Sequence, residues 1–367
     1  MLALTPGETE KLYRVFRRPS AYQLNPAQLP SRIFFANLFL QMTTLYPFVF
    51  KPIFKERVWG GRAIERLYGK KLPARVPIGE SWEISDRPGD VSVIANGPLA
   101  GKDLRWLMEH HERELLGEAK SANGRFPLLI KILDAQEKLS LQVHPPAHKA
   151  AELKGEPKTE AWYIAHATPG AELYVGLKRG VTRAEFEQKI KTGAVAECFH
   201  RVPVKAGDTM FLPSGRVHAI GAGLVIFEIQ QNSDTTYRVF DWNRVGLDGK
   251  PRDLHVAESV ASIDFGDFEP GLVNNPFKEA GTLKWRVLVQ HDLFKVMLWH
   301  SQSTGQALVN PSEFLIIAAV EKKIVIANPN GPNAEIEAGQ FCLIPAGIRA
   351  ELWIEAGGHY LSINGGY

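Results

Sequence analysis

Two residues apart in LSLQVHP (139–145), Gln142 and His144 fall on one face of any strand that carries them. Ser140 shares that face, while Leu139, Leu141 and Val143 point the other way, and Pro145 ends the run. Two more residues of ligating type follow, Glu160 in KTEAWY at a strand start and His218 in SGRVHAIG after a turn. Two imidazoles, a carboxylate and an amide oxygen suit a divalent ion such as Zn²⁺, with a position left for water or substrate. Ordinary structural roles are open to the same residues. The chain has 11 histidines, and a lone one near a strand end is commonly a surface or hydrogen-bonded residue. Glu160 alone reads equally as a solvated charge at a strand edge. Spacing leaves both readings standing.

The elements that must carry these residues are short strands broken by Gly, Pro and Asn. Strands are expected at 127–135, 138–144, 161–167, 171–177, 208–213 and 223–231, a spacing that points to antiparallel sandwich or barrel architecture. Helices are expected at 103–117, opened by Asp103 and closed by Gly117, and at 182–193, opened by Thr182 and closed by Gly193. One weak internal repeat aligns KAGDTMFLPSGRVHAIG (205–221) with EAGQFCLIPAGIRAELW (337–353), and 160–175 with 313–328 upstream. Two related β units follow from it. His218 aligns with Ala350, so the second unit lacks the polar residue.

Composition narrows the function classes. The 367 residues are 45% hydrophobic and 23% charged, enough chain for more than one core. With 43 basic and 40 acidic residues the net charge is only +3, which argues against a nucleic-acid partner. The two cysteines, Cys198 and Cys342, form neither a disulfide framework nor a zinc knuckle, so a reducing cytoplasm is the expectation and any metal must use His, carboxylate or amide ligands. No apolar run approaches the roughly 20 residues of a membrane helix. Residues 1–45 are basic and poorly periodic, and read as a leader outside the fold, with a compact domain beginning near TLYPFVFKP.

KPIFKERVWGG (51–61), IGESWEIS (78–85), FPLLIKILDAQEKLSLQVHP (126–145), KTEAWY (158–163), PSGRVHAIG (213–221) and EIQQNSDTTYRVFDW (228–242) together resemble type I phosphomannose isomerases. The match runs in order from about residue 46 to 260, weakly to the C-terminus, and is similar to the shorter bacterial class. The resemblance implies a mainly β fold of two cupin-like antiparallel jelly-roll units with a few short helices: a catalytic unit over 46–275 and a degenerate C-terminal one over 276–367. It implies one metal per chain, zinc by expectation, on Gln142, His144, Glu160 and His218. It assigns catalysis to Arg238 and Lys158, and substrate contacts to Ser140 and Lys131. The chain departs from the family after HP, where Pro146, Ala147 and His148 replace commonly acidic residues at the pocket rim.

The implied reaction interconverts mannose 6-phosphate and fructose 6-phosphate through a cis-enediol(ate). Charge developing on the C1 and C2 oxygens asks for a metal or a fixed cation, and Arg238 keeps its charge at any working pH. The general base stays open among Glu160, Lys158, an unassigned His and a hydroxide on the metal. Glu80 and Glu83 are read as structural, Trp82 as core, and His110 and His111 as a solvated helix surface. Gln230, Gln231, Asn232 and Asp234 are read as a network that aims Arg238. A non-catalytic sugar-phosphate-binding cupin is the main competitor, though every matched position is intact. A cupin oxygenase fits less well, because Gln142 stands where a third His is usual. The expected partner is a small sugar phosphate, with the protein a monomer or homodimer.

Overall fold

The computed structural model describes residues 45–366, so the leader reading of residues 1–45 lies outside them except at Leu45, which is buried in the core. The sheets stack in four layers, and alternation along each strand decides which layer boundary a side chain fills. In the first unit, an antiparallel six-stranded sheet runs in the order Thr209–Leu212, Glu160–Ala167, Leu224–Gln231, Leu128–Ala135, Ile78–Ile84 and Ile53–Gly61. It faces a five-stranded sheet of Phe199–Pro203, Glu172–Leu177, His218–Ile220, Leu141–Val143 and Tyr237–Phe240. Leu133, Trp162, Ile164, Leu173, Val175 and Ile226 fill the space between them.

The second unit repeats the plan. A seven-stranded sheet and a four-stranded sheet enclose Trp299, Ile317, Ile326 and Leu352. The repeat read from the sequence holds in three dimensions. Thr209–Leu212 pairs with Glu160–Ala167 before the turn to His218–Ile220, and Phe341–Ile344 pairs with Leu315–Glu321 before the turn to Ala350–Ile354. Ala350 is fully buried in the apolar filling of the second unit.

The two units join back to back. Ile130, Ile132, Phe227 and Ile229 point out of the six-stranded sheet and pack on Val296, Ile316, Phe341 and Ile363 of the seven-stranded one. The Phe227 and Phe341 rings meet at 5.2 Å. Each such side chain stabilises the contact by about 1.5–3 kcal/mol of apolar burial. Phe48–Val49, the first strand of the described chain, pairs with Phe341–Ile344 and so belongs to the second unit's sheet.

Both predicted helices are present, as Leu104–Leu116 and Arg183–Thr192. Asp103 caps the first by accepting from Trp106 N at 2.7 Å, and Thr182 caps the second by accepting from Glu185 N at 3.2 Å. The short helices Ala63–Tyr68, Ala147–Ala150 and Val256–Ser262 had no strong pattern to show them. The LSLQVHP strand is shorter than its alternation suggests, covering only Leu141–Val143. Leu141 and Val143 pack outward, but Leu139 precedes the strand and turns inward. No helix among the described residues is long and apolar enough to cross a membrane.

Candidate active site

Inside the first unit the alternation brings polar residues to one wall. Gln142 stands opposite His218 on one neighbouring strand and opposite Arg238 on the other. Glu160 reaches in from the facing sheet. His144, Glu160 and His218 are all buried, with ligating atoms within 4.8 Å of one another. His144 Nε2 lies 3.3 Å from Glu160 Oε1, and His218 Nε2 lies 3.6 Å from Glu160 Oε2. Gln142 Nε2 is 3.3 Å from His218 Nε2, and a half-turn of the amide presents Oε1 there instead.

This donor set fits a divalent ion. His144 Nδ1 donates to the Thr235 carbonyl at 2.8 Å and His218 Nδ1 to the Arg216 carbonyl at 2.9 Å, which leaves each Nε2 lone pair facing the centre. Both imidazoles favour the neutral, ligating form. Burial lowers the pKa of His218 to about 3, and burial followed by the charge of Lys158 lowers that of His144. Neither oxygen of Glu160 completes a hydrogen bond, although the Lys158 ammonium is in contact with Oε1. Burial opposes ionisation of Glu160, but Lys158 and His144 outweigh it and hold the carboxyl well below its ordinary range. Lys158 is raised in turn: burial works against its charge and Glu160 more than compensates.

Beside this centre opens a cavity of about 570 Å³, lined by Ser140, Gln142, Lys131, Lys158, Arg238 and others. On its six-stranded wall, Trp82, Lys131, Glu228 and Trp162 stand directly opposite one another on four adjacent strands. Lys131 Nζ lies 3.5 Å from Glu228 Oε1, and Trp162 Nε1 donates to Glu228 Oε2 at 2.8 Å. Burial and the nearby Glu160 charge raise the pKa of Glu228. At the rim, Arg238 Nη1 donates to the Asp253 carbonyl at 2.7 Å, and Arg252 clamps Asp241 with two bonds of 2.7 and 2.6 Å.

All eight residues singled out in the sequence therefore meet at one cavity or its buried end. Two other readings change. Glu80 lines the cavity and accepts from Trp82 Nε1 and Arg57 Nε, whereas Trp82 itself is buried as expected. The 230–234 turn does not aim Arg238. Gln230 donates to the Ser233 carbonyl, Gln231 accepts from Thr159 N, and Asn232 donates to the Phe126 carbonyl, so these amides secure the loop itself. Glu228 went unnoticed, its one signal being a lone carboxylate inside the apolar run LVIFEI. His110 stacks on Trp106 at the helix surface, away from the site.

The family model for the phosphomannose isomerase type I catalytic domain matches residues 48–159. The mannose-6-phosphate isomerase ManA of Bacillus subtilis is 38% identical over 283 residues, 76% of this chain and 86% of that one. This chain belongs to the type I phosphomannose isomerase family. The mannose-6-phosphate isomerase of Streptococcus mutans is similar to the same degree, 40% identical over 273 residues, which cover 74% of this chain and 84% of that one. The crystal structure of a Bacillus subtilis mannose 6-phosphate isomerase superposes with a TM-score of 0.80 at 31% identity, covering 87% of this chain and all (100%) of the other. The type I phosphomannose isomerases are metal-dependent, and the His144, Glu160 and His218 cluster of this member is arranged for such an ion.

Proposed function

We propose that this chain interconverts D-mannose 6-phosphate and D-fructose 6-phosphate, with Gln142, His144, Glu160 and His218 holding one Zn²⁺. The observation that carries the reading is a buried His–Glu–His set joined through Gln142 and Lys158 to a cavity that also presents the Glu228 carboxyl and several cationic side chains. When bound, the ion supplies Lewis-acid stabilisation to charge on the C1 and C2 oxygens of the open-chain sugar.

The chain's own groups do the rest. Glu228, raised by burial and the nearby Glu160 charge and set beside Lys131 in the cavity, suits the role of the base. It takes the proton from C2 and returns it to C1 on the same face. Lys158, kept charged by Glu160, donates to the C1 oxygen as its negative charge grows, and receives the proton that leaves the C2 hydroxyl. Arg238, one strand from Gln142, adds permanent positive charge beside the enediolate. Ser140 and Lys131 hold sugar hydroxyls. Lys131 is a poor phosphate ligand here, because three carboxylates, Glu80, Glu228 and Asp234, already surround it within 3.9 Å. Arg252 completes a cationic rim with Arg238 for the phosphate.

In this reading catalysis lies in the unit ending near residue 275, the unit from 276 onward is a support, and the protein works in the cytoplasm with its two buried cysteines unpaired. A coupled assay on mannose 6-phosphate together with elemental analysis tests it. Turnover with about one zinc per chain is expected. Metal-replete protein that turns over no hexose phosphate overturns the reading.

A further inference from the structure

Glu80 has no part in the proton transfer just described, yet it is one of the most tightly held carboxylates in the cavity. Its Oε2 accepts from Trp82 Nε1 at 2.6 Å and its Oε1 from Arg57 Nε at 2.8 Å. The Lys131 ammonium lies 3.9 Å from Glu80 Oε2, 3.5 Å from Glu228 Oε1 and 3.8 Å from Asp234 Oδ1, and sits 4.9 Å from the centre of the Trp82 ring. Lys131 and Trp82 are directly opposite on adjacent strands, and so are Lys131 and Glu228. One buried ammonium thus stands between two buried carboxylates, each of which is also bonded to an indole N–H.

We infer that Glu80 is a positioning residue: it divides Lys131 between itself and Glu228, and so sets how readily Glu228 exchanges its proton. The inference rests on the reading of Glu228 as the proton carrier. The groups that face Glu228 are Lys131 from Leu128–Ala135, Trp162 and Glu160 from Glu160–Ala167, and Lys158 just before that strand. Glu80 and Asp234 act on it chiefly through Lys131, while Arg57 and the Trp82 indole fix Glu80 in place. Replacing Glu80 with a neutral amide has two effects of one sign. It removes a like charge from the neighbourhood, and it leaves Lys131 to Glu228. Both favour the Glu228 carboxylate over the acid. Removing the Trp82 N–H has the opposite sign. The Glu80 oxygen that loses its donor then draws Lys131 closer, and Glu228 holds its proton longer.

The test is the pH profile of kcat/KM for mannose 6-phosphate, measured on zinc-loaded protein with metal content checked for each variant. The acid limb reports the base of the free enzyme. Glu80→Gln is expected to move that limb down by about one pH unit, Trp82→Phe to move it up, and Glu80→Asp to restore most of the original position. A limb unmoved in Glu80→Gln and Trp82→Phe, or moved the same way in both, overturns the inference even where kcat falls. Should Glu80→Gln fail to fold, Trp82→Phe decides alone by the direction of its shift. Glu228→Gln separates the two levels of the argument. Wild-type turnover in that variant removes the Glu228 reading itself, whereas a loss of at least about 100-fold keeps it and leaves the Glu80 profiles to decide.

Discussion

Each ring of the His144–His218 pair turns one nitrogen to a backbone carbonyl and the other to Glu160, so neither can rotate without losing a buried bond. That arrangement sets the expected cost of removing one. His218→Ala should bind no stoichiometric metal and lose activity by at least about 100-fold, whereas His110→Ala on the helix surface should match wild type in both. Elemental analysis and the coupled assay check the pair, and equal losses would place the ligand set elsewhere. Glu80 gives a pH-dependent expectation of another kind. Burial alone would raise its pKa, but Lys131 and Arg57 outweigh burial and bring it from 4.5 down to about 2. A depressed carboxyl stabilises the fold above its unfolded pKa, and that stabilisation drains away as pH falls from near 4.5 towards 2. The gap in unfolding free energy between wild type and Glu80→Gln should include about 3 kcal/mol that is present at pH 6 and largely gone near pH 2. Urea unfolding of the metal-stripped pair measures it, and a gap independent of pH would contradict the assignment. The ligating residues were legible because their types are unusual on strands and their segments carry a family resemblance. Glu228 and Glu80 were not, because a carboxylate inside an apolar strand does not announce its partner. Lys131 meets both only through cross-strand register.

At the scale of elements, the two β units share a plan and differ in filling. The first lines its interior with Gln142, His144, Glu160 and His218, and the second with Trp299, Ile317, Leu352 and Ala350. Ala350→His should therefore create no second metal site. It buries an imidazole in the apolar filling of the second unit, where no second histidine stands in for His144, and should cost about 2–4 kcal/mol in stability with unchanged metal content. Denaturant midpoints and elemental analysis decide, and a second equivalent of bound metal would refute the prediction. The repeat, the antiparallel plan and both capped helices could be read in advance because periodicity and end signals agreed there. Ala63–Tyr68 could not, because its N-terminal amides are capped from another element: Asp134 accepts from Ala63 N and Ile64 N across 70 or more residues. The early inward turn of Leu139 was hidden for a similar reason, since the pairing that starts the strand at Leu141 is set by Phe240.

For the whole molecule, the largest shared core lies between the units rather than inside either one. The two should then unfold together. Calorimetry should show one cooperative transition, and Phe341→Ala, which removes a ring packed on Phe227, should lower stability by about 3–5 kcal/mol while keeping that transition single. Two resolved transitions in the unaltered protein would contradict this. The pairing of Phe48–Val49 with Phe341–Ile344 bears on how the chain is made. A ribosome releases Phe48 about 295 residues (343 minus 48) before its pairing partner Leu343. The outward apolar face of the catalytic unit waits for the same late segments. Vectorial synthesis thus leaves the apolar face of the catalytic unit exposed until those later segments emerge, which makes this a natural client for a holding chaperone and a chain in which a stop codon before Phe341 is as damaging as one near the site.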